Sequence, residues 1–239
     1  MTSDATTQAE ERPKRAMVIM AHPDDAEFLC GGTVARLCAE GWEVTYVVAT
    51  SGDKGTKDPE MTGERLAGMR ESEQSAAARV LGVRECVYLR HPDGFLEEGH
   101  ALRREVVHLL RVHRPDLVIT WDGFRRGFNH RDHRAIGIVT YDAVFPAVRD
   151  PLYYSADAEE GLAAHRVPEM LLAGSDQPDH FIDIGDHFET KLEAVYCHTS
   201  QIQALPKEEF LKQRREQAIE NGRQSGIPFA EGFRRVTLR

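Results

Sequence analysis

The sequence predicts an α/β protein with a Rossmann-like, three-layer fold and a mostly parallel sheet. Short apolar runs rich in β-branched residues alternate with longer amphipathic segments. The runs are almost continuously apolar, which is typical of strands covered by helices on both faces. A polar cluster follows each of the first four runs. Alternation of this kind indicates βαβ units and a doubly wound sheet.

The predicted elements follow in chain order. Four strands come first, at residues 16–21, 44–50, 86–89 and 117–121. Amphipathic stretches predict the helices between them, at residues 33–40, 63–81 and 101–113. The second half of the chain predicts a helix at 133–148, strands at 170–175 and 180–184, and helices at 186–201 and 207–226.

Composition limits the class of protein. A chain of 239 residues, 41% of them hydrophobic, suits one globular domain, expected over residues 15–239. The polar residues 1–14 are expected to form a disordered leader. A formal net charge of −9 disfavours nucleic acid and anionic membranes as partners. No apolar run is long enough for a membrane span or a signal peptide.

The cysteine pattern indicates a reducing compartment. The four cysteines lie far apart and form no CxxC pair, at Cys30, Cys38, Cys86 and Cys197. Such spacing favours buried thiols over a disulfide framework or a thiolate zinc site. We therefore expect a cytoplasmic protein.

The polar clusters predict an active site at one edge of the sheet. They read HPDD after the first strand, TSGDKGT after the second, RHPDG after the third and DGFRRGFNHRDHRA after the fourth. In open α/β sheets, ligands bind beyond the carboxyl ends of the strands. The fold would therefore bring these scattered clusters together at that edge.

Two of the clusters contain metal-ligand residue types. His22 and Asp25 are three residues apart in a tight turn, and His133 begins a predicted helix after the fourth strand. Two imidazoles and one carboxylate form an open three-ligand set suited to a catalytic zinc. Alone, an HxxD turn or an HxxH pair is usually a capped turn or a surface feature. The convergence of both at one sheet edge favours a metal site.

Neighbouring residues could serve the chemistry of such a metal. Asp24 would stay ionised beside the cation and accept a proton from an acidified water. His130 could donate to an oxyanion or protonate a leaving amine. Asp132 could orient an imidazole as a hydrogen-bond acceptor outside the ligand set. Glu27 is expected either behind the ligands or as a charge at a helix start.

The segments AHPDDAEFLCGGT, NHRDHRA and KLEAVYCHTSQ closely resemble the LmbE-like or PIG-L family of zinc-dependent N-acetylglucosaminyl deacetylases. The resemblance extends from residue 15 to about residue 203. It implies that His22, Asp25 and His133 bind zinc, or another divalent metal such as Fe²⁺. It also implies that Asp24 is the general base and that His130 stabilises the oxyanion. Family members often assemble, so a homo-oligomer is also expected.

The resemblance also suggests substrate contacts. Arg70 and Asp93 match positions that family members use to bind the sugar. The alternatives are that Arg70 pairs with Glu71 or Glu73 on its own helix and that Asp93 is a turn residue. His198, in the segment YCHTSQ, is a further candidate with an equally reasonable structural role.

Arg131 departs from the family pattern. The family motif commonly reads HPDH, whereas this chain reads HRDH, so Arg131 replaces the proline. If its side chain faces the substrate entrance, it would favour an anionic substrate through a charge-assisted hydrogen bond. The alternative is that Arg131 pairs with Asp132 or Asp122 and does not contact substrate.

The predicted function is a metal-dependent hydrolase that removes the N-acetyl group from an N-acetylglucosamine-type conjugate. One alternative is an amidase that removes a larger acyl group from a related amino-sugar or thiol conjugate. Another is a non-catalytic sugar-binding module, although binding alone would not need Asp24. A nucleotide-binding Rossmann protein is disfavoured because no GxGxxG loop follows the first strand.

Overall fold

The computed structural model describes residues 12–202 and 206–238. Within them, a single sheet contains seven strands in the order β3-β2-β1-β4-β5-β7-β6. Their bounds are β1 (Arg15–Met20), β2 (Glu43–Thr50), β3 (Glu85–His91), β4 (Leu117–Trp121), β5 (Glu169–Ala173), β6 (His180–Asp183) and β7 (Ala230–Thr237). Strands β1 to β5 pair in parallel, and β7 runs antiparallel between β5 and β6. The predicted mostly parallel α/β fold is confirmed.

Helices cover both faces of the sheet. Helices α1, α2 and α6 contact one another, and α3 contacts α4. The helices in the described residues are α1 (Asp25–Ala39), α2 (Gly63–Leu81), α3 (His100–His113), α4 (Arg131–Asp142), α5 (Ala156–Glu159), α6 (Phe188–Tyr196), α7 (Thr199–Ile202) and α8 (Lys207–Arg223). None of them combines the length and the apolarity needed to cross a membrane.

The central strands form the core. Every residue of β4 is buried, and in β1 only Arg15 is partly exposed. This explains their continuous apolar sequences, because helices cover both of their faces. Strand β3 was predicted from a similar apolar run, but it lies at the sheet edge and most of its residues are only partly buried.

Two predicted helices differ most from the structure in their bounds. Helix α1 was expected at residues 33–40 but begins at Asp25, directly after the HPDD turn, and is kinked at Cys30. The helix expected at residues 133–148 begins at Arg131 and ends at Asp142. It gives way to a π-helical turn, Ala143–Ala147, in which Phe145 has extended backbone angles (φ −146°, ψ 124°) before Pro146. A residue before proline is disfavoured in the α conformation, which accounts for the extended backbone of Phe145.

Strand β7 was not predicted from the sequence. Its segment AEGFRRVT contains three charged residues, which is unusual for a strand inside a sheet. The acidic one, Glu231, is only 3% exposed. Its carboxylate accepts the Lys191 ammonium at 2.6 Å and the backbone N–H groups of Gly32 (3.0 Å) and Thr33 (2.7 Å). Glu231 therefore caps the second segment of α1 beyond the kink.

The predicted leader, residues 1–14, falls largely outside the described residues, which begin at Arg12. Arg12 donates two hydrogen bonds to the Asp116 carboxylate, at 2.8 and 3.0 Å. The Lys14 ammonium lies 5.2 Å from the centre of the Trp42 ring. Residues 12–14 therefore contact the strands and loops beside them.

Candidate metal and catalytic site

The predicted metal ligands converge at the carboxyl ends of β1 and β4. His22 and Asp25 follow β1, and His133 lies in the first turn of α4, after β4. His22 Nδ1 is 3.1 Å from His133 Nε2, which is 3.2 Å from Asp25 Oδ1. His22 Nδ1 is 3.6 Å from Asp25 Oδ2. Ligand atoms bound to one tetrahedral zinc lie about 3.4 Å apart, so these three residues fit a divalent metal.

Two carboxylates lie on the other side of the His22 ring. Its Nε2 is 3.1 Å from Asp93 Oδ1 and 3.3 Å from Asp132 Oδ2. Asp132 already accepts the backbone N–H groups of Gly94 (2.6 Å) and Leu96 (3.1 Å). Histidine ligands usually donate their second ring N–H to a carboxylate. This arrangement fits Nδ1 as the metal ligand and Nε2 as the donor to Asp93 and Asp132.

The carboxylates around His22 create an excess of negative charge. Burial lowers the pKa of His22, but hydrogen bonds with Asp132, Asp25 and Asp93 outweigh it and raise the pKa to about 12. Burial and the neighbouring Asp25 charge raise the pKa of Asp24 to about 7. Because this cluster strongly stabilises an added positive charge, it suits a divalent cation.

Trp121, the last residue of β4, supports two of the predicted ligands. Its indole Nε1 donates to Asp25 Oδ2 at 3.0 Å. Its ring stacks on His133, with 3.8 Å between centroids and 11° between planes. Trp121 is not among the residues predicted from the sequence, although its position at the end of the strand before the DGFRRGFNHRDHRA cluster is a usable signal.

Asp24 occupies a strained turn between the predicted ligands. Its backbone has φ 105° and ψ −31°. Its N–H donates to Gln74 Oε1 at 2.9 Å, and its Oδ2 accepts Arg70 Nη2 at 3.1 Å. Gln74 was also not selected from the sequence, although it lies one helical turn after Arg70 on the same helix face.

Arg70 is 4% exposed, and its guanidinium contacts the turn itself. Besides Asp24, it donates to the carbonyls of Pro23 (2.6 Å) and Gly52 (3.1 Å). The alternative pairings with neighbours on α2 are wrong. Glu71 instead binds Arg90 and Ser51, and Glu73 binds Thr199 and Ser200. The predicted sugar contact of Arg70 stays a prediction.

His130 caps the N-terminus of α4. Its Nδ1 accepts the backbone N–H of Asp132 at 3.2 Å, so in the neutral ring the proton lies on Nε2. Burial and then the nearby His22 and His133 lower the pKa of His130. Its ring centroid is 4.9 Å from that of His22 and 5.0 Å from that of His133. A neutral donor beside the ligands can stabilise a developing negative charge.

The remaining predicted residues lie at the rim or behind the ligands. Arg131 is exposed, and its Nε donates to the Leu96 carbonyl at 3.3 Å instead of to Asp132 or Asp122. Asp93 is 6% exposed and accepts the Lys54 backbone N–H at 3.0 Å as well as facing His22. Glu27 is fully buried, and its carboxylate binds Gln74 and His198.

The chain is similar to known proteins of one family. The family described as PIG-L: GlcNAc-PI de-N-acetylase matches residues 17–144. The chain is 34% identical to a diacetylchitobiose deacetylase of Thermococcus kodakarensis over 93% of this chain and 83% of the relative. It is 31% identical to a 1D-myo-inositol 2-acetamido-2-deoxy-alpha-D-glucopyranoside deacetylase of Actinosynnema mirum over 80% of this chain and 81% of that relative.

A solved structure gives the same assignment. The N,N'-diacetylchitobiose deacetylase of Pyrococcus horikoshii, complexed with an inhibitor, superposes with a TM-score of 0.89 at 31% identity. The match covers 95% of this chain and 85% of that one. The resemblance predicted from the HPDD and HRDH motifs is confirmed. The chain belongs to the PIG-L, or LmbE-like, family.

Proposed function

We propose that this protein is a metal-dependent N-deacetylase that removes the acetyl group from an N-acetylglucosamine-type conjugate. One observation carries the proposal: the His22 and His133 nitrogens lie 3.1 Å apart, and each is within 3.6 Å of one oxygen of the Asp25 carboxylate. The charge of Asp24 interacts with both Asp25 and His22. Relatives named for deacetylating N-acetyl amino sugars support this assignment.

His22, Asp25 and His133 would hold the metal. Their two nitrogens and one oxygen suit Zn²⁺, and imidazole also suits Fe²⁺, so both remain within the proposal. The bound ion would supply an electrophile that polarises the amide carbonyl and acidifies a water molecule.

The other residues would move protons and stabilise charge. Asp24 accepts a proton as water attacks the amide carbonyl, and the C–N bond then breaks as that proton passes to the amine nitrogen. His130 donates its Nε2–H to the oxyanion, because Nδ1 is occupied by the Asp132 amide. Acetate and a free amino sugar are the products.

The candidate substrate contacts lie beside the cluster and at its rim. Asp93 faces the catalytic cluster and Arg131 is exposed at its rim, so both are proposed as contacts for the sugar conjugate. Arg70 is proposed to act near the substrate through Asp24, which it already binds. The four cysteines are free thiols, which supports the proposal of a reducing, cytoplasmic location.

A substrate screen tests the function. The zinc-loaded protein is incubated with N-acetylglucosamine, N,N'-diacetylchitobiose and an N-acetylglucosaminyl-inositol conjugate. Released acetate and new primary amine are measured together. We expect equal amounts of both products from at least one conjugate, and none after chelation.

The same screen separates the alternatives. An amidase of broader scope would release longer acids from N-acyl analogues faster than acetate from the N-acetyl compound. A sugar-binding module would bind the conjugates in calorimetry and release nothing. Either result would replace the proposed N-deacetylase function.

A further inference from the structure

Asp24 has a backbone conformation that its own side chain does not favour. Its φ of 105° lies beyond the left-handed region in which aspartate is sometimes found. Such strain persists only where surrounding contacts hold the residue, and it clusters at functional sites. The proposed general base is therefore held in place from outside its own turn.

Helix α2 supplies that hold through two side chains one helical turn apart. Arg70 binds the Asp24 carboxylate and the Pro23 carbonyl. Gln74 Oε1 accepts the Asp24 N–H at 2.9 Å. Arg70 thus holds the Asp24 side chain, and Gln74 holds the Asp24 backbone N–H.

A buried chain of hydrogen bonds fixes the orientation of the Gln74 amide. Gln74 Nε2 donates to Glu27 Oε1 at 2.9 Å, so its Oε1 must face Asp24. Glu27 Oε2 accepts from His198 Nε2 at 3.1 Å. His198 Nδ1 has no partner among the described residues, which places the ring proton on Nε2. All three side chains are at most 1% exposed.

We propose that Gln74 is a positioning residue for the deacetylation step. Backed by Glu27 and His198, it holds the strained Asp24 peptide so that the carboxylate faces the attacking water. The inference rests on the proposed function, in which Asp24 is the base. Small misplacements of a catalytic group can lower rates by about 100-fold, so loss of this hold should slow turnover.

The principal variant is Gln74→Met, which keeps the side-chain volume and removes both hydrogen bonds. We expect kcat to fall by about 10-fold to 100-fold, with KM and bound metal each within about twofold of wild type. Gln74→Asn, which keeps an amide but shortens its reach, is the second variant if Gln74→Met does not fold.

Ala78→Gly is the matched control. Ala78 lies one turn beyond Gln74 on the same buried face of α2 and is 4% exposed. Glycine there weakens the helix without removing a side-chain contact to Asp24. Its kcat should stay within about twofold of wild type even though its melting temperature falls.

A second measurement needs no metal and no turnover. Hydrogen exchange of the Asp24 amide is followed in the metal-free protein. The bond to Gln74 should protect this amide, so exchange should accelerate by at least about tenfold in Gln74→Met and stay near wild type in Ala78→Gly.

Three results would overturn the proposal. They are an unchanged kcat in Gln74→Met, equal losses of kcat in Gln74→Met and Ala78→Gly, and loss of the bound metal in Gln74→Met. Failure of the proposed function is separate, because it would appear as no release of acetate by the wild-type protein from any of the conjugates. The exchange of the Asp24 amide would still report whether Gln74 holds the turn.

Discussion

His133 owes its position to contacts from several parts of the chain. The α4 backbone carries it, the Trp121 ring stacks on it, and His22 and Asp25 lie within 3.2 Å of its Nε2. These residues are up to 111 positions apart in the sequence. The position of each side chain at this site therefore depends on its neighbours. Substituting the residues one at a time should show what each contributes.

Replacing His133 tests the proposed ligand set. His133→Ala removes one of three donors, so bound metal should fall below about a tenth of the wild-type content. Elemental analysis after gel filtration measures it. His100→Ala, at an exposed position that begins α3, is the control and should keep its metal. Full metal retention in His133→Ala would exclude His133 as a ligand.

Replacing Asp24 tests the proposed base. Asp24→Asn should keep the metal and lower kcat by about 100-fold or more, because the amide cannot accept the proton. Steady-state kinetics and metal analysis on the same sample give both quantities. Asp186→Asn, an exposed substitution outside the site, should change neither. Loss of metal in Asp24→Asn would mean that the roles of the two aspartates are exchanged.

Replacing Trp121 tests the support behind the ligands. Trp121→Phe keeps an aromatic ring near His133 but removes the hydrogen bond to Asp25. Loss of a hydrogen-bond partner of this kind commonly lowers metal affinity by about 10-fold to 100-fold. In competition with a chelator, Trp121→Phe should therefore bind metal more weakly by about that factor. Trp42→Phe, a partly buried tryptophan near Lys14, is the control. Equal affinities of both variants would contradict a role for Trp121.

Among the elements, α1 depends most on a partner that is distant in sequence. Its kink at Cys30 exposes the N–H groups of Gly32 and Thr33, and Glu231 in β7 accepts both. A Cβ at position 32 would lie 2.8 Å from Ile184, so only glycine permits this approach of α1 to the segment before α6. The helix that carries Asp25 and Glu27 is thus fastened to the antiparallel strand.

Removing the contacts of the Glu231 carboxylate with α1 and Lys191 should destabilise the protein. Glu231→Gln leaves the buried Lys191 ammonium without its carboxylate and weakens the cap on α1, so the free energy of unfolding should fall by about 3 kcal/mol or more. Chemical denaturation measures the change. Glu216→Gln, whose exposed side chain lies on α8, should change stability by less than about 0.5 kcal/mol. A similar small effect for Glu231→Gln would show that the pair contributes little.

Over the whole molecule, metal binding and folding should be coupled. Residues after β1, β3 and β4 place three carboxylates around His22, and the neighbouring Asp24 adds a fourth, so the fold must hold four negative charges together. A cation bound only by the folded protein offsets that repulsion and shifts the unfolding equilibrium. The metal should therefore stabilise the fold as well as serve the chemistry.

Zinc titration of the metal-free protein tests this coupling. At a free zinc concentration of about 100 times the dissociation constant, the free energy of unfolding should rise by about 2.7 kcal/mol. Differential scanning calorimetry with and without zinc measures the rise. His133→Ala should show little or none of it. Equal stabilisation of wild type and His133→Ala would place the zinc elsewhere on the protein.

The sequence by itself determined the parallel core, and it predicted the sheet edge of the candidate site and the residues proposed as ligands and base. Continuous apolar runs require burial on both faces, and a motif following a strand directly has its position fixed by that strand. Only the tertiary structure decided the contacts of Gln74, Trp121 and Glu231. Their bonds join residues 50, 96 and 199 positions apart. Contacts over such separations follow from packing, which local periodicity does not encode.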